Sequence, residues 1–198
     1  MTRVKICGLT NERDARMAIE FGADAVGFVH EPSSPRCISE SDTSWLQKLP
    51  PVPIKVAVFG RVTGAAFRGL FDLVQGAEWE EYPEPSTKRI HTLRVRAGQR
   101  PADFAQQTVN ASALLLDAYK DGVYGGTGIT LDWGFAAEFV ALAERPVILA
   151  GGLTPDNVAD AVRRVRPFMV DVSSGVEDVV GRKDIGKVRA FIEAVREA

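Results

Sequence analysis

Short apolar runs rich in valine, isoleucine and leucine recur along the whole chain and predict eight strands: RVKIC at 3–7, DAVGFV at 24–29, PIKVAVF at 53–59, FDLVQ at 71–75, RIHTLRV at 89–95, ALLLDA at 113–118, PVILAGG at 146–152 and FMVDVSS at 168–174. Between several of them the apolar positions change to helical spacing, most clearly at 11–22, 132–144, 154–166 and 183–198. In the first of these, Ala15, Ala18, Ile19 and Gly22 share one face, and Asn11 stands where an N-cap belongs. Continuous apolar strands alternating with helices predict parallel strands covered on their faces, and eight such units predict closure into an α/β fold of the (β/α)8 TIM-barrel type. An open doubly wound sheet is the alternative. At 198 residues the chain is short for a barrel, typically ~250 residues, so some helices must be reduced. GAEWEEYPEPSTK at 76–88, with two prolines and four glutamates in place of an apolar stripe, predicts a mostly looped connection and a reduced helix after strand four. With no long linker or low-complexity run, residues 1–198 read as one domain.

Composition narrows the partners. A net charge of −2 and a pI near 5.8 provide no basic excess for nucleic acid or an anionic membrane surface, which leaves small molecules. No run approaches ~20 apolar residues, and the first strand begins within a few residues of Met1. The expectation is a cytoplasmic protein, a monomer or homodimer, with Cys7 and Cys37 as reduced thiols.

In a barrel, reactive groups belong at the C-terminal ends of strands. Strand one ends in Cys7, strand six in Asp117, and strand eight in Asp171, Ser173 and Ser174. Singly, a strand-end cysteine reads as a small buried hydrophobe and a strand-end aspartate as a loop cap; their coincidence at several strand ends points to chemistry. Period-two alternation puts Lys5 and Cys7 on one face. Two readings of Lys5 stand side by side: an ammonium that activates the thiol, or an ion pair inside the barrel with Asp171 as one partner. Glycine clusters at 124–128, 150–157 and 173–177 allow close backbone approach to a ligand, and the last two follow strands seven and eight, where such barrels bind phosphate. Arg36, in SSPRCIS after strand two, is a bidentate donor suited to a carboxylate. The only histidines, His30 and His91, have no carboxylate or thiol at metal-ligand spacing, so no metal is expected.

Taken together, VKICGLT, GADAVGFV, SPRCIS, LLLDAYKDGVYGGTGITLDW, LAGGLTPDNV and RPFMVDVSSGVE resemble the N-(5'-phosphoribosyl)anthranilate isomerase family of tryptophan biosynthesis nearly end to end. The resemblance implies an Amadori rearrangement of an aminoaldose to an aminoketose without a cofactor, on a phosphosugar substrate. It implies Cys7 as general base, Asp117 as general acid, Arg36 on the anthranilate carboxylate and Asp171 holding substrate. Lys5, Gln75 and Gly126 complete the expected substrate contacts, and Gly151, Gly152, Ser173, Ser174 and Gly175 the phosphate site. The chain departs from the family at strand four, where FDLVQGAEWEE keeps Gln75 but lacks the Leu-His-Gly of VQLHG. A related sugar-phosphate isomerase and a non-catalytic phosphosugar-binding paralogue are the rival readings; the presence of both Cys7 and Asp117 argues against the second.

Overall fold

The computed structural model describes residues 1–39, 43–62, 70–79, 88–96, 98–108, 111–118 and 131–198, with the backbone alone at 105–108. Eight parallel strands close into a barrel: β1 (Arg3–Ile6), β2 (Ala25–Val29), β3 (Ile54–Val62), β4 (Leu73–Trp79), β5 (Arg89–Val95), β6 (Ala113–Ala118), β7 (Val147–Leu149) and β8 (Met169–Val172). Closure sets β1 between β2 and β8, with Lys5 opposite Ala25 on one side and Asp171 on the other. The expected barrel is thus the observed one.

Period-two alternation sorts the strand residues into two layers. Ala25, Val56, Ile90, Leu115, Ile148 and Met169 fill the barrel interior. Their neighbours along the strands, such as Leu114 and Leu116, pack outward against the helices. Those helices are α1 (Glu12–Glu20), α2 (Trp133–Leu142), α3 (Val158–Val165) and α4 (Ile185–Arg196). Asn11 caps α1 as expected, its side chain accepting from the Asp14 N–H at 2.9 Å. In α3, Val158, Ala161, Val162 and Val165 recur at i, i+3, i+4 and i+7 and are buried, while Arg163 and Arg164 face water. Val188, Phe191, Ile192 and Val195 repeat that spacing in α4.

The economy in length is spread more widely than expected. After β2 and β5 the outer ring carries 3-10 turns, Ser44–Lys48 and Pro101–Thr108. At strand four the expected loop over 76–88 is partly corrected, because β4 runs on to Trp79. Gly76, Glu78 and Trp79 continue the ladder opposite Phe59, Arg61 and Val62. The indole N–H of Trp79 donates to His91 Nδ1 at 2.9 Å, and Arg61 pairs with Glu78, so side chains of both neighbouring strands hold the extension. Residues 80–87 lie outside the described ones. A further hairpin, β9 (Glu177–Val179) with β10 (Arg182–Lys183), follows β8. Among the described residues, no helix is long and apolar enough to cross a membrane.

Candidate active site

At the C-terminal mouth of the barrel, a cleft opens among the strand ends, where barrels of this kind bind their ligands. Cys7, Arg36, Gln75, Asp117 and Asp171 line it, together with the glycine and serine loops after β7 and β8. Of the candidate site residues that the structure describes, all but Lys5 line it. Gly126 lies outside the described residues.

Lys5 lies at the floor with no exposed surface. Its ammonium donates to Asp171 Oδ1 and Gln75 Oε1, each at 2.9 Å. Burial works against its charge, but the Asp171 carboxylate beside it prevails and raises its pKa. The ion-pair reading of Lys5 is therefore the one the structure bears out, and Gln75 serves the lysine as well as the cleft. Cys7 stands next to this pair. Burial pushes its thiol above the ordinary 9.0; Lys5 and Lys183 pull it down, and Asp171 adds to the upward push. Lys5 acts in the activating direction, but burial outweighs it. Both cysteines are free thiols.

Space for this group comes from Gly27, across on β2. A Cβ there would stand 2.8 Å from Cys7 Sγ and 3.1 Å from Lys5 Cε. A glycine inside the otherwise apolar run DAVGFV was the available signal for such a close approach. Gly27→Ala should lower Tm by several degrees, since overpacking costs ~1–3 kcal/mol at ~2–4 °C per kcal/mol for a chain of this size. An unchanged melting curve would show that the cysteine has room to retreat.

Asp117 projects from the end of β6. Burial, with the Asp171 carboxylate second, raises its pKa to about 6 against the opposing pull of the Ala118 N–H, Arg94 and Lys5. Arg94 stands opposite Asp117 in the β5–β6 ladder and lines the same cleft, a neighbour the sequence reading missed. The mouth thus holds an acid that keeps its proton to about pH 6 and, three strands round the closed barrel from β6 to β1, a thiol.

Arg36 is buried rather than solvated. Its Nε and Nη2 donate to the two carboxylate oxygens of Glu177 at 2.8 and 2.7 Å. Lys183 donates to the same carboxylate at 2.8 Å and to the Ser173 carbonyl at 3.1 Å. Burial opposes the charge on Glu177, but Arg36 and Lys183 prevail and hold its pKa below the usual carboxylate range. The stem of Arg36 crosses Gly8, which has φ +70°; a Cβ there would stand 2.6 Å from both Arg36 Cδ and Ser173 Oγ. That position requires glycine twice over, for conformation and for space.

The loops after β7 and β8 form one wall. Gly151 and Gly152 both have positive φ, and a Cβ on Gly175 would overlap the Leu153 carbonyl oxygen. Backbone packed this closely leaves N–H groups, rather than side chains, to face a ligand.

Comparison with known proteins finds relatives along nearly the whole chain. The model of the family described as N-(5'phosphoribosyl)anthranilate (PRA) isomerase matches residues 4–194. The N-(5'-phosphoribosyl)anthranilate isomerase of Pseudomonas fluorescens (strain Pf0-1) is 43% identical over 206 residues, covering 98% of both chains. Among solved structures, the phosphoribosyl anthranilate isomerase of Thermotoga maritima superposes over 100% of both chains with a TM-score of 0.86 and 36% identity. Another, at TM-score 0.81, 33% identity and 100% coverage of both chains, is a phosphoribosyl anthranilate isomerase in complex with reduced 1-(o-carboxyphenylamino)-1-deoxyribulose 5-phosphate. With the match running through the strand ends that carry Cys7, Arg36, Asp117 and Asp171, the chain belongs to the N-(5'-phosphoribosyl)anthranilate isomerase family.

Proposed function

We propose that this protein is the phosphoribosylanthranilate isomerase of tryptophan biosynthesis, with Asp117 as general acid and Cys7 as general base. The observation that carries the reading is one cleft lined by both groups, by Arg36 and by the loops after β7 and β8. A relative of the same fold holds the reduced product, which has a phosphate at one end and an aromatic carboxylate at the other.

The chemistry follows from what each group can do. Asp117, protonated, delivers its proton to the furanose ring oxygen; the C1'–O bond breaks, and the anthranilate nitrogen takes up the cation as a Schiff base. Cys7, as thiolate, removes the C2' proton and leaves an enolamine. A proton added at C1' and one lost from the C2' hydroxyl complete the aminoketose, so substrate and product are isomers. Gly151, Gly152, Ser173, Ser174 and Gly175 hold the phosphate, while Lys5, Gln75 and Asp171 form the polar floor under the sugar. Fixing both ends of the substrate aligns the reacting carbons with the two groups.

Turnover is measured as loss of the substrate's anthranilate fluorescence. A folded protein that leaves that signal unchanged would remove the assignment. Arg36→Met should weaken binding of the reduced product ~10- to ~150-fold, the worth of one charge-assisted contact, while leaving inhibition by inorganic phosphate unchanged. Equal affinity in variant and parent would show that another group holds the carboxylate.

A further inference from the structure

The chemistry above leaves Lys183 unused, yet its side chain is fully buried beneath the loop after β8. A buried ammonium is costly unless its donors are met. Here Nζ reaches Glu177 Oε1 at 2.8 Å and the Ser173 carbonyl at 3.1 Å. The backbone N–H of the same residue donates to Asp14 Oδ2 at 2.8 Å, which ties the β9–β10 hairpin to the first turn of α1. The lysine is therefore built in from both ends.

Its role follows from the charge balance around Arg36. A guanidinium forked onto a carboxylate is a closed, neutral pair, and such a pair offers little net attraction to a second carboxylate. Burial works against the charge on Lys183 and lowers its pKa, with Glu177 opposing; protonated, it adds a second cation to the same Glu177 and leaves the cluster with one net positive charge. The fork occupies Nε and Nη2 and fixes the guanidinium plane, whereas Nη1 makes no hydrogen bond to the described residues. The geometry points to Lys183 as a specificity-determining positioning residue that, through Glu177, keeps Arg36 oriented and net cationic toward an aromatic carboxylate on the substrate. This rests on the proposed isomerase reading and adds to it the group that sets selectivity for a carboxylated aryl amine.

The test compares affinities for two ligands, the reduced 2-carboxyphenylamino product and its phenylamino counterpart lacking the carboxyl group. Lys183→Met should cut the parent's preference for the carboxylated ligand ~10-fold, with the affinity for the phenylamino ligand changed by less than about twofold. Lys183→Arg should restore the preference. Should the methionine variant fail to fold, Lys183→Gln, which keeps a donor for the Ser173 carbonyl but has no charge, should show the same loss. An unchanged preference in the neutral variants overturns the proposal. So does equal weakening of both ligands, which would make Lys183 a support for the phosphate loop. Failure of the underlying reading looks different: the parent protein itself would turn over no substrate or show no preference between the ligands.

Discussion

Asp117→Asn should lower kcat ~10²- to 10⁴-fold and at the same time make the protein more stable at neutral pH. The loss follows from the amide, which has nearly the carboxyl's shape but no acidic proton for the ring oxygen. The gain follows from linkage. In the folded chain Asp117 titrates at about 6, against an ordinary 3.8. Between those values the folded form keeps a proton that the unfolded form has released, so stability falls as pH rises through this window, and the penalty is complete above about 6. Asparagine never ionises and escapes it. The variant should match its parent below pH 3.8 and exceed it by up to ~3 kcal/mol at pH 7, read as urea midpoints across pH. A variant that keeps its turnover would place the acid elsewhere; one that is no more stable at pH 7 would show that the carboxylate is better solvated than its burial indicates.

Cys7→Ser should lower kcat ~10²-fold or more with the fold intact, because a hydroxyl is a far weaker acid than a thiol and supplies almost no oxyanion to take the C2' proton. The parent's pH profile makes a sharper test. Its active form needs Asp117 protonated and Cys7 ionised, the reverse of their resting states. Below about pH 6 the acid is already protonated and the thiolate grows with pH, so kcat/KM rises. From about 6 to beyond 9.0 the gain in thiolate and the loss of acid cancel, and the profile is flat. Only above the thiol's own pKa does kcat/KM fall. A profile declining from pH 6 upward would mean that the thiolate already exists there, and that burial is not the dominant influence on Cys7.

The barrel was legible because its evidence is periodic. Each strand is a short apolar run, and residues such as Leu115 between Leu114 and Leu116 alternate between the interior and the helix-facing layer as period two requires. Cys7, Asp117 and Asp171 stood out as polar or reactive groups where such runs end. The charge cluster was hidden because it depends on approach in three dimensions. Arg36 and Glu177 are 141 positions apart, and the segment EDVVGRK that carries Glu177 and Lys183 has neither helical nor strand periodicity long enough to predict the hairpin. The competition at Cys7 was likewise unreadable, since proximity to Lys5 follows from sequence spacing while the degree of burial does not. Strand four was misjudged beyond Gln75 because Glu78 and Trp79 look like loop residues until their cross-strand partners Arg61 and His91 are known.

The ion pair between Lys5 and Asp171 spans 166 positions, from the first strand to the last. At ~5–20 residues per second of synthesis, roughly 10–30 s separate the emergence of the lysine from that of its carboxylate. Throughout that interval β1 has no β8 to close against, and burying its ammonium among apolar strands would leave the charge uncompensated. Burial of Lys5 against its carboxylate and closure of the β1–β8 seam therefore belong to one event, which cannot precede synthesis of the last strand.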